Sequence, residues 1–402
     1  MKSEALELYN ELSPEFKLLF KCATTKPVTQ AEQAAIIALI NWPVAWPQFF
    51  ELVKYHQVYP LVYRALTEVP PEFVPVELMT ELCRINQEST AKSLQLTGEL
   101  VRLVASLETH GIKSVVLKGI PLAFMLYGSI ALRPPGDIDI LVWPEDVARA
   151  NAVLEGMGYK WEQSRFLTSE QCKRYMGAGH HFGYDHKDKD VSVELHCRLG
   201  EELLLPLSYI KDSLTEIKLA GHTINVLQQE ELLVFLALHG AKHGWHCLKW
   251  LVDIAALLGR GGLDWGRVYK MADNLKVRSV INQALLLSHE LLEVPLLAED
   301  IMAQVRGDKK ARQLAKATMP MIIAPILDSP WLRLKFHSYQ CKVYQLSLLR
   351  GWSKKFSYLG KQFKPNEHDY KLIALPKWLY FLYYLIRPFA WVKRRCSEIV
   401  GR

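Results

Sequence analysis

The stretch from Ile112 to Val142 constrains the fold more than any other part of the chain. Ile112–Leu117 (IKSVVL) is a short β-branched run, followed at once by Lys118-Gly119 and by the compact apolar segment Ile120–Leu126, which closes near Gly128. Asp137–Val142 (DIDILV) reads as a second strand and Pro144–Met157 as a helix stopped by Gly158. Tyr184–His196 reads as a hairpin turning over the charged HKDKD. Strand, helix, strand, helix and hairpin in that order predict a small mixed α/β core over residues 109–205.

On either side the rhythm is helical. Ala31–Ile40, Phe49–Val58 and Thr90–Leu107 place apolar residues at helical spacing, interrupted at Trp42-Pro43, Trp46-Pro47 and Pro70-Pro71. Glu230–His246, Leu248–Leu258 and Val277–Leu292 repeat the pattern after the core. The expected organisation is an N-terminal helical region (1–108), the α/β core (109–205), a C-terminal helical domain (206–325) and a tail (326–402). The fold class is therefore α+β, with a small mixed sheet flanked by helices.

The chemistry concentrates in Asp137-Ile138-Asp139. Side chains alternate along a strand, so the two aspartates share one face while Ile138, Ile140 and Val142 take the other. Two carboxylates about 7 Å apart repel unless a cation lies between them, and their hard oxygens suit Mg²⁺, which favours carboxylates plus substrate phosphates. An isolated pair of this kind is equally the solvent-facing end of a strand, but three neighbours favour a site. Lys118-Gly119 stands between a strand and a helix, where backbone N–H groups favour a phosphate. Arg133 offers a bidentate fork to a phosphate. Glu194 shares a strand face with Ser192 and His196, opposite Val191, Val193 and Leu195, and supplies a third carboxylate.

The segment KSVVLKGIPLAFMLYGSIALRPPGDIDILV, with the later VSVELH, resembles the nucleotidyltransferase superfamily of the DNA polymerase β-like fold. Within it, the chain is similar to an uncharacterised bacterial nucleotidyltransferase family marked by KG, an Arg before DIDIL, and a later ELH. LALHGAKHGWHCLKWLVDIAALL and LPKWLYFLYYLIRP extend the resemblance. It implies a polymerase β-like core, a metal pair at Asp137 and Asp139, and a third carboxylate at Glu194. Nucleotide phosphates would lie against Gly119, with Lys118 and Arg133 as neighbouring donors. The implied cofactor is Mg²⁺ (or Mn²⁺), the substrate an NTP with ATP the expected donor, and the acceptor is undefined. Members of the superfamily usually carry Gly-Gly or Gly-Ser at the phosphate loop, whereas this chain has Gly119-Ile120. A literal Gly-Ser stands at Gly128-Ser129, but it follows a helix, and strand-to-helix placement favours Gly119. The departure at Ile120 keeps a second reading open: a non-catalytic core that binds nucleotide or scaffolds a membrane assembly.

Eight of the 13 histidines fall between residues 180 and 246. His239, His243 and His246 follow i, i+4, i+7 spacing, so a single helix face is expected. The preferred reading has His196, His239, Lys242 and His243 lining a cleft, with Asp253 orienting a neighbour. A zinc hydrolase site is the alternative.

Charge is uneven. From Trp331 onward there are 15 Lys+Arg against 3 Asp+Glu, a net +12, leaving the preceding residues at 34 against 39, a net −5. The tail also holds 16 of the 42 aromatic residues. Residues 371–395 combine aromatics with flanking Lys and Arg, a pattern suited to a membrane interface, to RNA, or to packing on the protein's own body. Nucleic acid is open as a partner but not favoured. The seven scattered cysteines form no CxxC pair and are expected to be reduced. The polar N-terminus and the absence of a long apolar run predict a cytoplasmic chain, with peripheral contact at the inner face of the membrane left open.

Overall fold

A computed structural model describes residues 12–161, 181–200, 203–211, 213–294, 298–323, 340–349, 351–363, 379, 381–384, 386 and 387. The chain enters through α1 (Pro14–Cys22), α2 (Gln30–Ile40), α3 (Trp46–Tyr55) and α4 (Tyr59–Thr67). Thr29 and Glu32 start α2 with a reciprocal capping box, each side chain accepting the other's backbone N–H. The helix expected at Thr90–Thr109 is longer: α5 runs from Val76 to Thr109, because its start follows Pro75 directly and no Gly or Pro interrupts it before Gly98.

The core follows the expected order with one strand added, and its hairpin begins at His181 rather than Tyr184. It comprises β1 (Ser114–Val116), α6 (Ile120–Tyr127), β2 (Ile138–Val142), α7 (Val147–Gly156), β3 (Lys160–Trp161), β4 (His181–His186) and β5 (Val191–His196). The added strand, β3, pairs with β4 at the edge of the sheet. The sheet order is β1-β2-β5-β4-β3. β2 and β5 run parallel, and every other neighbouring pair is antiparallel. β2 is buried along its whole length because helices cover both faces of the sheet.

Alternation assigns those faces. Val116, Ile138, Ile140 and Val142 pack with Leu100, Leu103 and Leu107 of α5 and with Val153 and Leu154 of α7. Val115, Leu117 and Leu141 point the other way, into a core shared with the flanking helices. Asp137 and Asp139 have the parity of Leu141, so the sequence pattern sends them toward the helical body. Burying two carboxylates there is costly unless they are paired, and the pairing defines the site.

Residues 206–325 do not begin as helix. Leu214–Leu219 and His222–Leu227 form the hairpin β6–β7, whose Leu219, Ile224 and Val226 join the core on the α5 side of the sheet. Asn225 donates to the carbonyl of Ser114 on β1. The turn residues Ala220 and Gly221 both have positive φ, the conformation that two-residue hairpin turns require.

Helices then follow: α8 (Gln229–Lys242), α9 (Leu248–Arg260), α10 (Trp265–Asn274), α11 (Arg278–Leu292), α12 (Glu299–Gly307) and α13 (Lys309–Ile323). They share one continuous core with α1–α4. Residues 340–348 form α14, anchored where the buried Tyr344 hydroxyl donates to Gln283 of α11, and α15 spans Trp352–Phe363. Most of residues 371–395 lie outside the described residues. No described helix is long and apolar enough to cross a membrane.

Candidate active site

Parallel pairing of β2 and β5 sets Asp139 directly beside Glu194 and Leu141 beside His196. On β5, Val191, Val193 and Leu195 are buried on one face while Glu194 and His196 share the other, as alternation requires. Asp137 sits one residue before β2. The two strands thus carry three carboxylates and an imidazole to one edge of a cavity of about 860 Å³.

Lys118 and His196 tie these acids together. The Lys118 ammonium lies 2.5 Å from Oδ2 of the fully buried Asp139 and 3.2 Å from Oδ1 of Asp137. Burial alone would depress the Lys118 pKa, but the charges of Asp139 and Asp137 outweigh it and hold the pKa above its ordinary value. His196 Nε2 lies 3.1 Å from Asp139 Oδ1 and 3.3 Å from Glu194 Oε2. Burial opposes its protonation, but the hydrogen bonds to Asp139 and Glu194 prevail and raise its pKa. The His196 hydrogen bond in turn keeps Glu194 below its usual value, against burial and the charge of Asp137. Glu194 thus owes its acidity to its neighbour His196, against the cost of its burial.

Asp139, Glu194 and His196 each bring one ligand atom within 4.8 Å of the others. Their burial is graded: Asp139 is enclosed, while Glu194 and Asp137 remain about one-third exposed toward the cavity. Two hard carboxylate oxygens and one imidazole, open on the cavity side, fit Mg²⁺ or Mn²⁺ that also takes substrate oxygens.

Gly119 stands where the strand turns into α6. Its φ of +81° and ψ of −131° belong to a region essentially reserved for glycine, and a Cβ there would lie 3.6 Å from the Asp137 carbonyl. Gly119 does not line the main cavity. It borders a small crevice that shares Lys118, Gly136 and Asp137 with it. Gly128, by contrast, caps the C-terminus of α6 in the left-handed conformation. Carbonyl oxygens project from that end, the wrong polarity for a phosphate.

Arg133 and Asp253 require correction. Arg133 is buried, and its guanidinium grips Asp253 of α9 with Nε 2.8 Å from Oδ1 and Nη2 2.9 Å from Oδ2. The Tyr127 hydroxyl donates to the same carboxylate at 2.6 Å. This closed network joins the sheet-side loop to the helical body, and Arg133 is not among the residues lining the cavity. Asp253 accordingly orients Arg133 and Tyr127, not a histidine.

The facing wall comes from α8 and α9. His239, Lys242 and His243 line it as expected, with His246. They do not occupy one continuous helix face, because α8 stops at Lys242. The Trp245 ring folds under Gly240, where any Cβ would collide with it at 2.3 Å, and the Trp245 N–H returns to the Gly240 carbonyl. The three imidazoles instead surround Trp250, with ring centroids 4.8–5.3 Å from the indole. Burial keeps them neutral, pushing the His243 pKa down to about 4 and that of His239 well below its normal range. Among the described residues, they form no three-ligand cluster of their own.

Trp250 and Lys249, which lie in the stretch that extends the family resemblance without being singled out in it, belong to this wall with Tyr55. Lys249 is buried beside Gln57, and burial with the nearby Arg133 charge lowers its pKa to about 8. Its position one turn before Asp253 on an otherwise apolar helix was the available signal. The third wall, formed by Gln345, Leu348 and Leu349 with Tyr358 of α15, closes the cavity from the tail.

No curated protein matches this chain significantly, and no solved structure does. A protein-family model does, over residues 43–293, which include the whole sheet, both aspartates, Glu194 and the histidine wall. With more than half of its length matched, the chain belongs to the family described as uncharacterised nucleotidyltransferases.

Proposed function

We propose that the protein transfers a nucleoside monophosphate from an NTP, with ATP the expected donor, to an acceptor hydroxyl, releasing pyrophosphate in a Mg²⁺- or Mn²⁺-dependent reaction. One observation carries this reading: Asp139 and Glu194 lie side by side on parallel strands, with Asp137 at the mouth, facing a cavity large enough for a nucleotide and part of an acceptor. Asp137, Asp139 and Glu194 would hold the ion, with the His196 imidazole, within 4.8 Å of the last two, as a further ligand at the same point. A bound divalent cation supplies charge neutralisation at the transferring phosphate and acidifies a coordinated hydroxyl.

The chain's own groups do the positioning. Gly119 lets the backbone pass close to the phosphates at the start of α6. Lys118 supplies positive charge at the same point, between the carboxylates and the crevice beside Gly119. Lys242 and Lys249 bring positive charge from the opposite wall, where developing negative charge on a leaving pyrophosphate needs it. The neutral imidazoles and Trp250 offer a wall that repels neither substrate.

Incubation with each labelled NTP, Mg²⁺ or Mn²⁺ and candidate acceptors tests the assignment. Asp139→Asn, folded by circular dichroism, is expected to lose metal-dependent transfer, and undiminished transfer by that variant refutes the proposal. A second reading, a nucleotide-binding module without catalysis, draws on the Lys118 ammonium already lying between Asp137 and Asp139. Calorimetry separates the two: nucleotide binding indifferent to Mg²⁺ and to Asp137→Ala favours the module.

A further inference from the structure

The tail helix α15 has two faces. Tyr358 is buried on the inner one, where it lines the cavity and its hydroxyl hydrogen-bonds Gln345 of α14. Gln345 donates in turn to the Lys242 carbonyl at the end of α8, at 2.7 Å. On the outer face, Trp352, Phe356 and Leu359 follow i, i+4, i+7 spacing and are 75%, 65% and 40% exposed. Large apolar side chains in a row on the surface mark a contact site. The 12 residues of α15 include three lysines and no acidic residue, and Lys355 stands over the Trp352 ring. Phe381 and Tyr384 add further exposed aromatic surface farther along the tail.

We propose that the outer face of α15 docks on an anionic lipid bilayer, seating the cavity's tail-side wall at the membrane surface. Three features favour a bilayer over other occupants. Trp and Phe with a neighbouring Leu match the depth of a headgroup interface, where amphipathic rings settle. Lysines at the edge of such a stripe meet anionic headgroups while their stems remain in the apolar layer. A second copy of this helix would set lysines against lysines with no acid to receive them. The tail's net +12, against −5 for the preceding residues, orients the molecule with this end toward an anionic surface. Such docking fixes where the protein sits. It is independent of transfer chemistry, since neither its variants nor its readout touch the carboxylates.

Co-sedimentation of the full-length protein with vesicles tests it. Vesicles of phosphatidylcholine with roughly one-third phosphatidylglycerol are expected to pellet the protein, more weakly at high salt because the charge term is screened. Pure phosphatidylcholine should retain at least about tenfold less, given how strongly surface charge contributes to such binding. Trp352→Ser/Phe356→Ser, which alters exposed side chains only, is expected to weaken anionic-vesicle binding by at least about tenfold. Lys354→Glu/Lys355→Glu should abolish the preference for anionic lipid. The proposal fails if wild type ignores both vesicles, if the aromatic variant binds like wild type, or if neutral and anionic vesicles bind equally. It also fails if the aromatic substitutions instead abolish self-association or RNA retention while vesicle binding persists.

Discussion

Arg133→Met is the sharpest test of the difference between sequence pattern and structure. As a phosphate ligand, Arg133 would be dispensable for folding and essential for nucleotide binding. As observed, it is buried against a fully buried Asp253, with two hydrogen bonds shorter than 3 Å. Removing one member of such a pair strands the other, at a cost of about 3–5 kcal/mol. For 402 residues, an unfolding entropy of roughly 2 cal/mol/K per residue converts this to a fall in Tm of about 4–6 °C. Arg133→Met/Asp253→Leu removes the stranded charge, and the cost should shrink to the ~1–3 kcal/mol of a buried Tyr127 hydroxyl without an acceptor. Adding Tyr127→Phe should recover most of that. The assay is denaturant and thermal unfolding of the four proteins, followed by far-UV circular dichroism, with nucleotide titration alongside. A fully stable Arg133→Met that has lost nucleotide affinity would refute the structural role and restore the phosphate role.

Three further outcomes follow from the site and its surroundings. Gly119→Ala forces a Cβ into a glycine-only backbone conformation and should cost about 1–3 kcal/mol, measured by denaturant unfolding; Gly128→Ala, in ordinary left-handed geometry with open space around it, should cost less. Lys118→Met leaves the buried Asp139 facing Asp137 without their ammonium, so the protein should unfold at lower temperature in EDTA and regain part of the loss with Mn²⁺; unchanged Tm in both conditions contradicts the bridge. His56 is buried, its Nδ1 accepts the Leu248 N–H, and burial lowers its pKa to about 3. The unfolded chain therefore binds a proton below pH 6.5 that the folded chain refuses, and stability falls as the pH drops from about 6.5 toward 3. The contribution is about 2 kcal/mol between pH 6.5 and 5, and His56→Asn, which keeps an acceptor for Leu248, should flatten that part of the pH profile.

Strand alternation carried most of what was legible. It assigned Ile138, Ile140 and Val142 to one side and the aspartates to the other, and it separated Glu194 and His196 from Val193 and Leu195, because a covered sheet admits no other arrangement. The parallel pairing that brings Asp139 beside Glu194 is a long-range choice, which local pattern does not encode. The hairpin β6–β7 escaped for a different reason. Its alternation is diluted because the polar Thr215 stands on the inward face, opposite Val226, while the apolar Leu214 stands on the other, and its turn is Ala-Gly, a weaker signal than Asn-Gly. The stop of α8 was hidden because Trp245 continues the apolar rhythm while folding back beneath Gly240. Arg133 was misplaced because an arginine four residues before an acidic pair looks the same whether it reaches a ligand or a carboxylate 120 residues away.

The charge asymmetry takes on a spatial meaning once the cavity is built. At the site, Lys118 pairs with Asp137 and Asp139 and His196 with Asp139 and Glu194, which lessens the negative charge a triphosphate meets. The excess positive charge lies on the tail, whose helices α14 and α15 close one side of the cavity through Gln345, Leu348 and Tyr358. Anything that repositions α15 therefore moves Tyr358 and, through Gln345, the end of α8 where Lys242 and His243 meet the cavity. Substituting Tyr358→Phe removes the hydroxyl from this relay while keeping the ring that fills the wall. If the tail positions the cavity through that contact, the variant should keep its Tm within about 1–2 °C, the loss expected for one partly buried hydrogen bond, while substrate KM rises and kcat holds. Unchanged KM would mean that the tail covers the cavity without shaping it.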